Sequence, residues 1–185
     1  MAVVSVEFQG QVTYRGEFGG GLDPSIVYGA PINGTYSFDP VGAVDVDPDP
    51  EEGEYSFSSA MTVQVGNVVI AAPNLSISVG NASSFEGQWY YASSFNFVSG
   101  GKFYSSMTLR LDTLRTDLFT EALPTHIEMS DLFRGLFYFS LGQSNVQGEI
   151  TSVSFVPEPS TAAMVLLAAA GLANTRRRGR RGARH

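Results

Sequence analysis

Apolar and polar residues alternate with a period of two through much of this chain, beginning with Val4, Val6, Phe8, Val12 and Tyr14 against Ser5, Glu7, Gln9, Gln11 and Thr13. Successive side chains of a strand point to opposite faces, whereas a surface helix needs apolar residues three and four apart, so the pattern commits this segment to a half-buried strand. The alternation recurs in Ile32, Gly34, Tyr36 and Phe38, which Asp39-Pro40 ends. Tyr55, Phe57, Met61, Val63 and Val65 share one parity and read as one long run, and Gly66-Asn67 then turns the chain into Val68 to Ala71. Leu75, Ile77 and Val79 continue after Pro73, and Trp89 to Val98, Met107 to Leu111, Leu136 to Leu141 and Glu149 to Phe155 bring the expected total to about nine or ten strands. Helical spacing is confined to Leu114 to Leu123, where Leu114 and Leu118 lie one turn apart and Pro124 closes the segment. Short strands divided by Gly, Pro, Asn and Asp, with no alternation of strands and helices, predict an all-β fold: an antiparallel β-sandwich or jelly-roll-like domain over residues 1–155, followed by a short C-terminal hydrophobic helix. A length of 185 residues suits one such core.

The chemistry available to the domain is narrow. Cysteine is absent, which removes disulfides, thiolate metal sites and cysteine nucleophiles, and histidine occurs only as His126 and His185. His126, Ser130 and Asp131 are the residue types of a hydrolytic triad, but no nucleophile elbow accompanies them. The expectation is a protein without catalytic residues or cofactor, not an enzyme. Charge is divided unevenly: residues 1–156 carry five basic residues (Arg15, Lys102, Arg110, Arg115 and Arg134) against seventeen acidic ones, while six arginines fall within the last ten residues. Five scattered cations on an acidic body make no footprint for a phosphate backbone, so no nucleic-acid partner is expected.

From Val156 the texture changes. Val156-Pro157-Glu158-Pro159-Ser160-Thr161 leads into Ala162 to Ala173, which carries no charge, and then into Arg176, Arg177, Arg178, Arg180, Arg181 and Arg184. Proline lacks an amide donor, so Pro157 to Pro159 is expected as an extended stalk that does not join the last strand at Phe155. Twelve helical residues reach about 18 Å, against a hydrocarbon thickness of about 30 Å, so the apolar segment crosses a membrane only with help from its flanks and from snorkelling arginines. The arginine cluster, at Arg176, Arg177, Arg178, Arg180 and Arg181, would flank such an anchor on the cytoplasmic side.

This order of segments resembles the PEP-CTERM sorting signal. The resemblance covers residues 156–185, with the PEP motif at 157–159, a hydrophobic segment at 160–175 and an Arg-rich tail at 176–185, and weaker echoes occur in Gly29 to Phe38 and Ala122-Leu-Pro-Thr. It implies recognition of Pro157, Glu158 and Pro159 by an exosortase-type membrane protease, transient anchoring in the inner membrane by the C-terminus, and release to the cell surface or extracellular matrix. Because proteins of this family are expected to begin with a signal peptide and Met1 leads straight into a strand, the coding start is expected upstream of Met1. The resemblance also implies company with exopolysaccharide, which makes a polysaccharide partner the alternative to a purely structural role in the envelope or matrix.

Two features of the body bear on binding. Trp89, Tyr90, Tyr91, Phe95 and Phe97 crowd one strand, and Trp89 and Tyr91, two residues apart, are the candidates for stacking on sugar rings, with core packing as the competing reading. Asp45, Asp47 and Asp49 make a weak calcium candidate within the acidic, proline-containing stretch from Asp45 to Glu54. They do not make an EF-hand, since position six would be Pro50 and position twelve Ser56. No metal site is expected there in preference to a solvated acidic turn.

Overall fold

A computed structural model describes residues 3–18, 21–49, 51–81, 87–119 and 122–157. Ten strands follow in chain order: β1 (Val4–Gly16), β2 (Pro31–Phe38), β3 (Glu52–Phe57), β4 (Met61–Val65), β5 (Val68–Ala72), β6 (Leu75–Asn81), β7 (Gln88–Ser99), β8 (Lys102–Thr113), β9 (Arg134–Leu141) and β10 (Ser144–Pro157). All of them belong to one antiparallel sheet in the order β3-β6-β7-β8-β9-β10-β1-β2-β4-β5. The chain is therefore all-β and antiparallel, as the alternation predicts. In place of the two separate layers of a sandwich, it has a single sheet that curls until its own inner face meets itself.

The curl follows from burial. Phe8, Ile32, Met61, Ile70, Leu75, Ile77, Tyr90, Met107, Leu109, Phe137 and Phe139 are almost wholly enclosed and come from strands along the whole length of the sheet, so one apolar face has folded around one core. Two ties cross that core or close its rim. The Tyr36 hydroxyl on β2 lies 2.8 Å from the Tyr90 hydroxyl on β7, and the Ala71 amide on the outermost strand β5 donates to Ser99 Oγ at the end of β7 at 3.0 Å. Close packing also sets composition: a Cβ on Gly34 would fall inside the Phe8 ring, so the ring lies across β2 only because residue 34 has no side chain.

The structure corrects three expectations. The run from Tyr55 to Val65 is not one strand: β3 pairs with β6 at one end of the sheet, whereas β4 pairs with β2 near the other. Shared parity survived because both pieces face the same core, and Ser58-Ser59-Ala60 between them carries no Gly or Pro to announce the break. The described residues of the Leu114 to Leu123 segment, 114–119 and 122–123, form no helix, and the described residues as a whole hold one short 3-10 turn, Met129–Asp131, as their only helical element. The Gln88 side chain captures this segment's backbone instead, donating to the Thr116 carbonyl at 2.9 Å and accepting from the Phe119 amide at 2.6 Å, which buries Phe119 and leaves Leu114 exposed. Finally, β10 does not stop at Phe155. Val156 pairs with Ser5 and Pro157 with Val4, at a terminal rung where a missing N–H costs at most one ladder bond. The segment expected as a C-terminal hydrophobic helix, Glu158, Pro159 and the arginine tail lie outside the described residues, among which no helix is long and apolar enough to cross a membrane.

Candidate functional site

The outer face of β3, β6, β7, β8 and β9 carries an open groove of about 650 Å³. Register fixes what lines it, because residues opposite one another on neighbouring strands form rows across the sheet. One row is Ser56, Ser76, Ser93, Thr108 and Tyr138; the next is Glu54, Ser78, Tyr91, Arg110 and Leu136; the third is Glu52, Gly80, Trp89, Asp112 and Arg134. The first row supplies hydroxyls, with Ser93 Oγ 3.1 Å from Thr108 Oγ1. The other two combine aromatic rings with charges.

Trp89 is held in a defined pose. Its indole Nε1 donates to the Asn81 carbonyl at 3.0 Å, and its six-membered ring lies across Gly80, where a Cβ would sit 2.9 Å from the indole and 2.9 Å from Glu52 Cγ. Glycine at position 80 is thus what lets the ring lie low over β6 with Glu52 at its far side. The Tyr91 ring is 4.9 Å from Trp89, centroid to centroid, inclined at 55°, and the Arg110 guanidinium caps it at 5.3 Å. Burial lifts the Tyr91 and Tyr138 phenols above the usual tyrosine range, so both act as neutral hydrogen-bonding groups. Arg110 in turn donates through Nε to both oxygens of the fully buried Asp112, at 2.8 and 2.9 Å, and Arg134 Nε donates to the same carboxylate at 2.7 Å. Two arginines on one carboxylate fix the wall beside the rings without leaving a buried charge unpaired.

Of the five aromatic residues singled out on this strand, Trp89, Tyr91 and Phe95 face outward and line the groove, while Tyr90 and Phe97 enter the core. Odd numbering alone would have put Phe97 with Phe95. Asn96, at φ 52°, is left-handed and turns the strand so that Phe97 instead stacks on Tyr104 at 5.2 Å inside.

The acidic loop forms the rim. Asp45 Oδ1 accepts from the Asp47 amide, Asp47 Oδ1 from that of Asp49 and Asp49 Oδ1 from that of Glu51, at 3.0, 2.9 and 2.9 Å, so each carboxylate turns back on its own backbone. Among the described residues no group of three or more His, Asp or Glu side chains is placed to hold a metal ion. The loop is clamped to β3 by Val46 N to the Glu54 carbonyl at 3.0 Å and by Glu54 N to Asp45 Oδ1 at 2.9 Å, which carries Asp47 into the groove beside Glu52 and Glu54. His126, Ser130 and Asp131 do not converge: His126 faces Glu128 at 3.5 Å in solvent and Asp131 accepts from Arg115 at 2.6 Å. Pro157 ends β10, and Glu158, Pro159, Arg176, Arg177, Arg178, Arg180 and Arg181 lie outside the described residues.

Comparison with known proteins adds no relative: the chain matches no protein-family model, no curated protein and no solved structure. Sequence reasoning found the two rings, but missed Gly80, the hydroxyl row and the Arg110–Asp112–Arg134 cluster, because each depends on which strands are neighbours.

Proposed function

We propose that this chain is a non-catalytic carbohydrate-binding domain of an exported envelope or matrix protein, sorted and processed through its C-terminal segment. The observation that carries the binding reading is Trp89, laid over Gly80 by its hydrogen bond to Asn81 and set in a groove among hydroxyls and carboxylates. A pyranose presents C–H groups on its faces and hydroxyls around its edge; a low aromatic ring takes the first, and Ser76, Ser78, Ser93 and Thr108 with the rim carboxylates take the second. Retention of the full chain on insoluble cellulose and chitin tests this. Wild type is retained on at least one of them and Trp89→Ala washes through; equal behaviour of the two proteins on both matrices refutes the reading.

Support for the sorting half comes from sequence: Pro157, Glu158 and Pro159 stand ahead of an apolar segment, a short C-terminal hydrophobic helix in this reading, and an arginine cluster. The motif begins at the last rung of β10, and a start there supports the reading that an exosortase-type protease cuts beyond the last strand. In a host with an exosortase, immunoblots of membrane and released fractions show wild type shortened, while Glu158→Ala and Pro159→Ala accumulate at full length in the membrane. Equal processing of all three proteins overturns it.

A further inference from the structure

We infer that the groove selects saccharides bearing a free amine, so that glucosamine-rich glycans bind in preference to their N-acetylated or uronate counterparts. This rests on the carbohydrate-binding reading and concerns the same site. Glu52 shares a row with Trp89 across Gly80, its Cγ within reach of the same small gap that the indole occupies, so a carboxylate stands at the edge of the stacking face. Glu54 occupies the same place in the Tyr91 row, and Asp47 is brought against them by the clamped loop. Among the described residues, neither Glu52 nor Glu54 takes part in an ion pair. Among the described residues the cations at the groove are Arg110, which lines it, and Arg134, at the end of the Trp89 row, and Asp112 engages both while the Tyr91 ring takes the Arg110 guanidinium.

A sugar ring stacked on Trp89 therefore meets negative charge at its rim. An ammonium group on that ring gains a charge-assisted hydrogen bond; acetylation removes the charge, and a uronate sets like charges side by side. The surrounding acidic body works in the same direction at longer range.

The test is calorimetric titration of the full chain at about pH 6, where a sugar amine carries its proton, with three soluble probes: a glucosamine hexamer, the same hexamer fully N-acetylated, and an oligogalacturonate. The expected result is binding of the glucosamine hexamer about tenfold tighter than of the acetylated one, weakening as salt is raised, with the uronate weakest. In Glu52→Gln/Glu54→Gln the ratio between amine and acetylated probes falls towards one, and in Trp89→Ala affinity for both falls together. The arginine tail is common to every variant, so its contribution cancels when wild type and variant are compared on the same probe. Equal affinities in the wild type, an unchanged ratio in the double variant, or preference for the uronate overturns the amine selectivity. The carbohydrate reading survives those outcomes if Trp89→Ala still lowers affinity; if none of the probes binds, the inference falls and retention on cellulose and chitin decides the carbohydrate reading.

Discussion

β10 divides the sheet into two halves that share a core and differ in what they show outside. On the β3-β6-β7-β8-β9 side the outer rows hold Trp89, Tyr91, Arg110 and Tyr138. On the β1-β2-β4-β5 side the equivalent rows are Glu7, Thr35, Thr62 and Ala71, then Gln9, Asn33, Gln64 and Val69, around a smaller groove of about 250 Å³. Both halves carry a groove, of about 650 and about 250 Å³, so having one does not set them apart. The difference is chemical: rings that can strip water from a ligand on one half, amides and hydroxyls that water already satisfies on the other. Glycine placement follows the same division, since Gly34 makes room for Phe8 in the core and Gly80 makes room for Trp89 on the surface.

The largest expected effect breaks the comparison at those glycines. Gly34→Val forces a side chain into the Phe8 ring and is expected to cost about 3 kcal/mol of stability in urea unfolding. Gly80→Val has only the Trp89 edge and the flexible Glu52 stem to displace, so it is expected to cost about 1 kcal/mol while abolishing retention on polysaccharide. Next, Trp89→Ala is expected to lower saccharide affinity about tenfold, near 1.4 kcal/mol, with the circular dichroism spectrum unchanged.

A smaller effect tests what joins the halves. Tyr36 and Tyr90 share a hydrogen bond across the core, and burial holds both phenols above the ordinary tyrosine value of 10.0. Tyr36→Phe leaves the Tyr90 hydroxyl unpaired and is expected to cost about 1–2 kcal/mol; adding Tyr90→Phe is expected to cost less than a second such loss. The sign with pH follows from proton binding. Above about pH 10 unfolded tyrosines release protons that the folded pair retains, so stability falls as pH rises there, and the double variant flattens that fall in unfolding curves measured from pH 8 to 11. The smallest effect sharpens the comparison from the other side. Thr62→Ala and Gln64→Ala are expected to change stability by no more than about 0.5 kcal/mol and saccharide affinity not at all.

Local pattern made the strands legible, since period-two alternation is imposed by the pleat and survives any arrangement of neighbours. What it hides is pairing. Nothing in Tyr55 to Val65 says that residues 55 and 63, alike in parity, lie towards opposite ends of the sheet, and nothing in Ser76, Thr108 and Glu52 says that they share a surface with Trp89. The helical spacing of Leu114 and Leu118 lost to the Gln88 amide from a different strand, a competitor with no local trace. Asn96 is the intermediate case: asparagine tolerates a left-handed backbone, yet only the burial of Phe97 shows that this one adopts it.

The position of β10 has a consequence for synthesis. The strand that seals the two halves is the last of the described strands to be made, so a nascent chain that has reached Gly142 holds β9 and β1 with the edges that β10 will occupy still open. Such edges invite pairing with other chains. A chain crossing a membrane amino end first would meet the same condition: its fold is completed only when the final residues of the domain arrive, and the segment that follows Pro157 is next in line. A tail that detains the polypeptide at the bilayer at that moment would give the last strand time to insert before the molecule is let go.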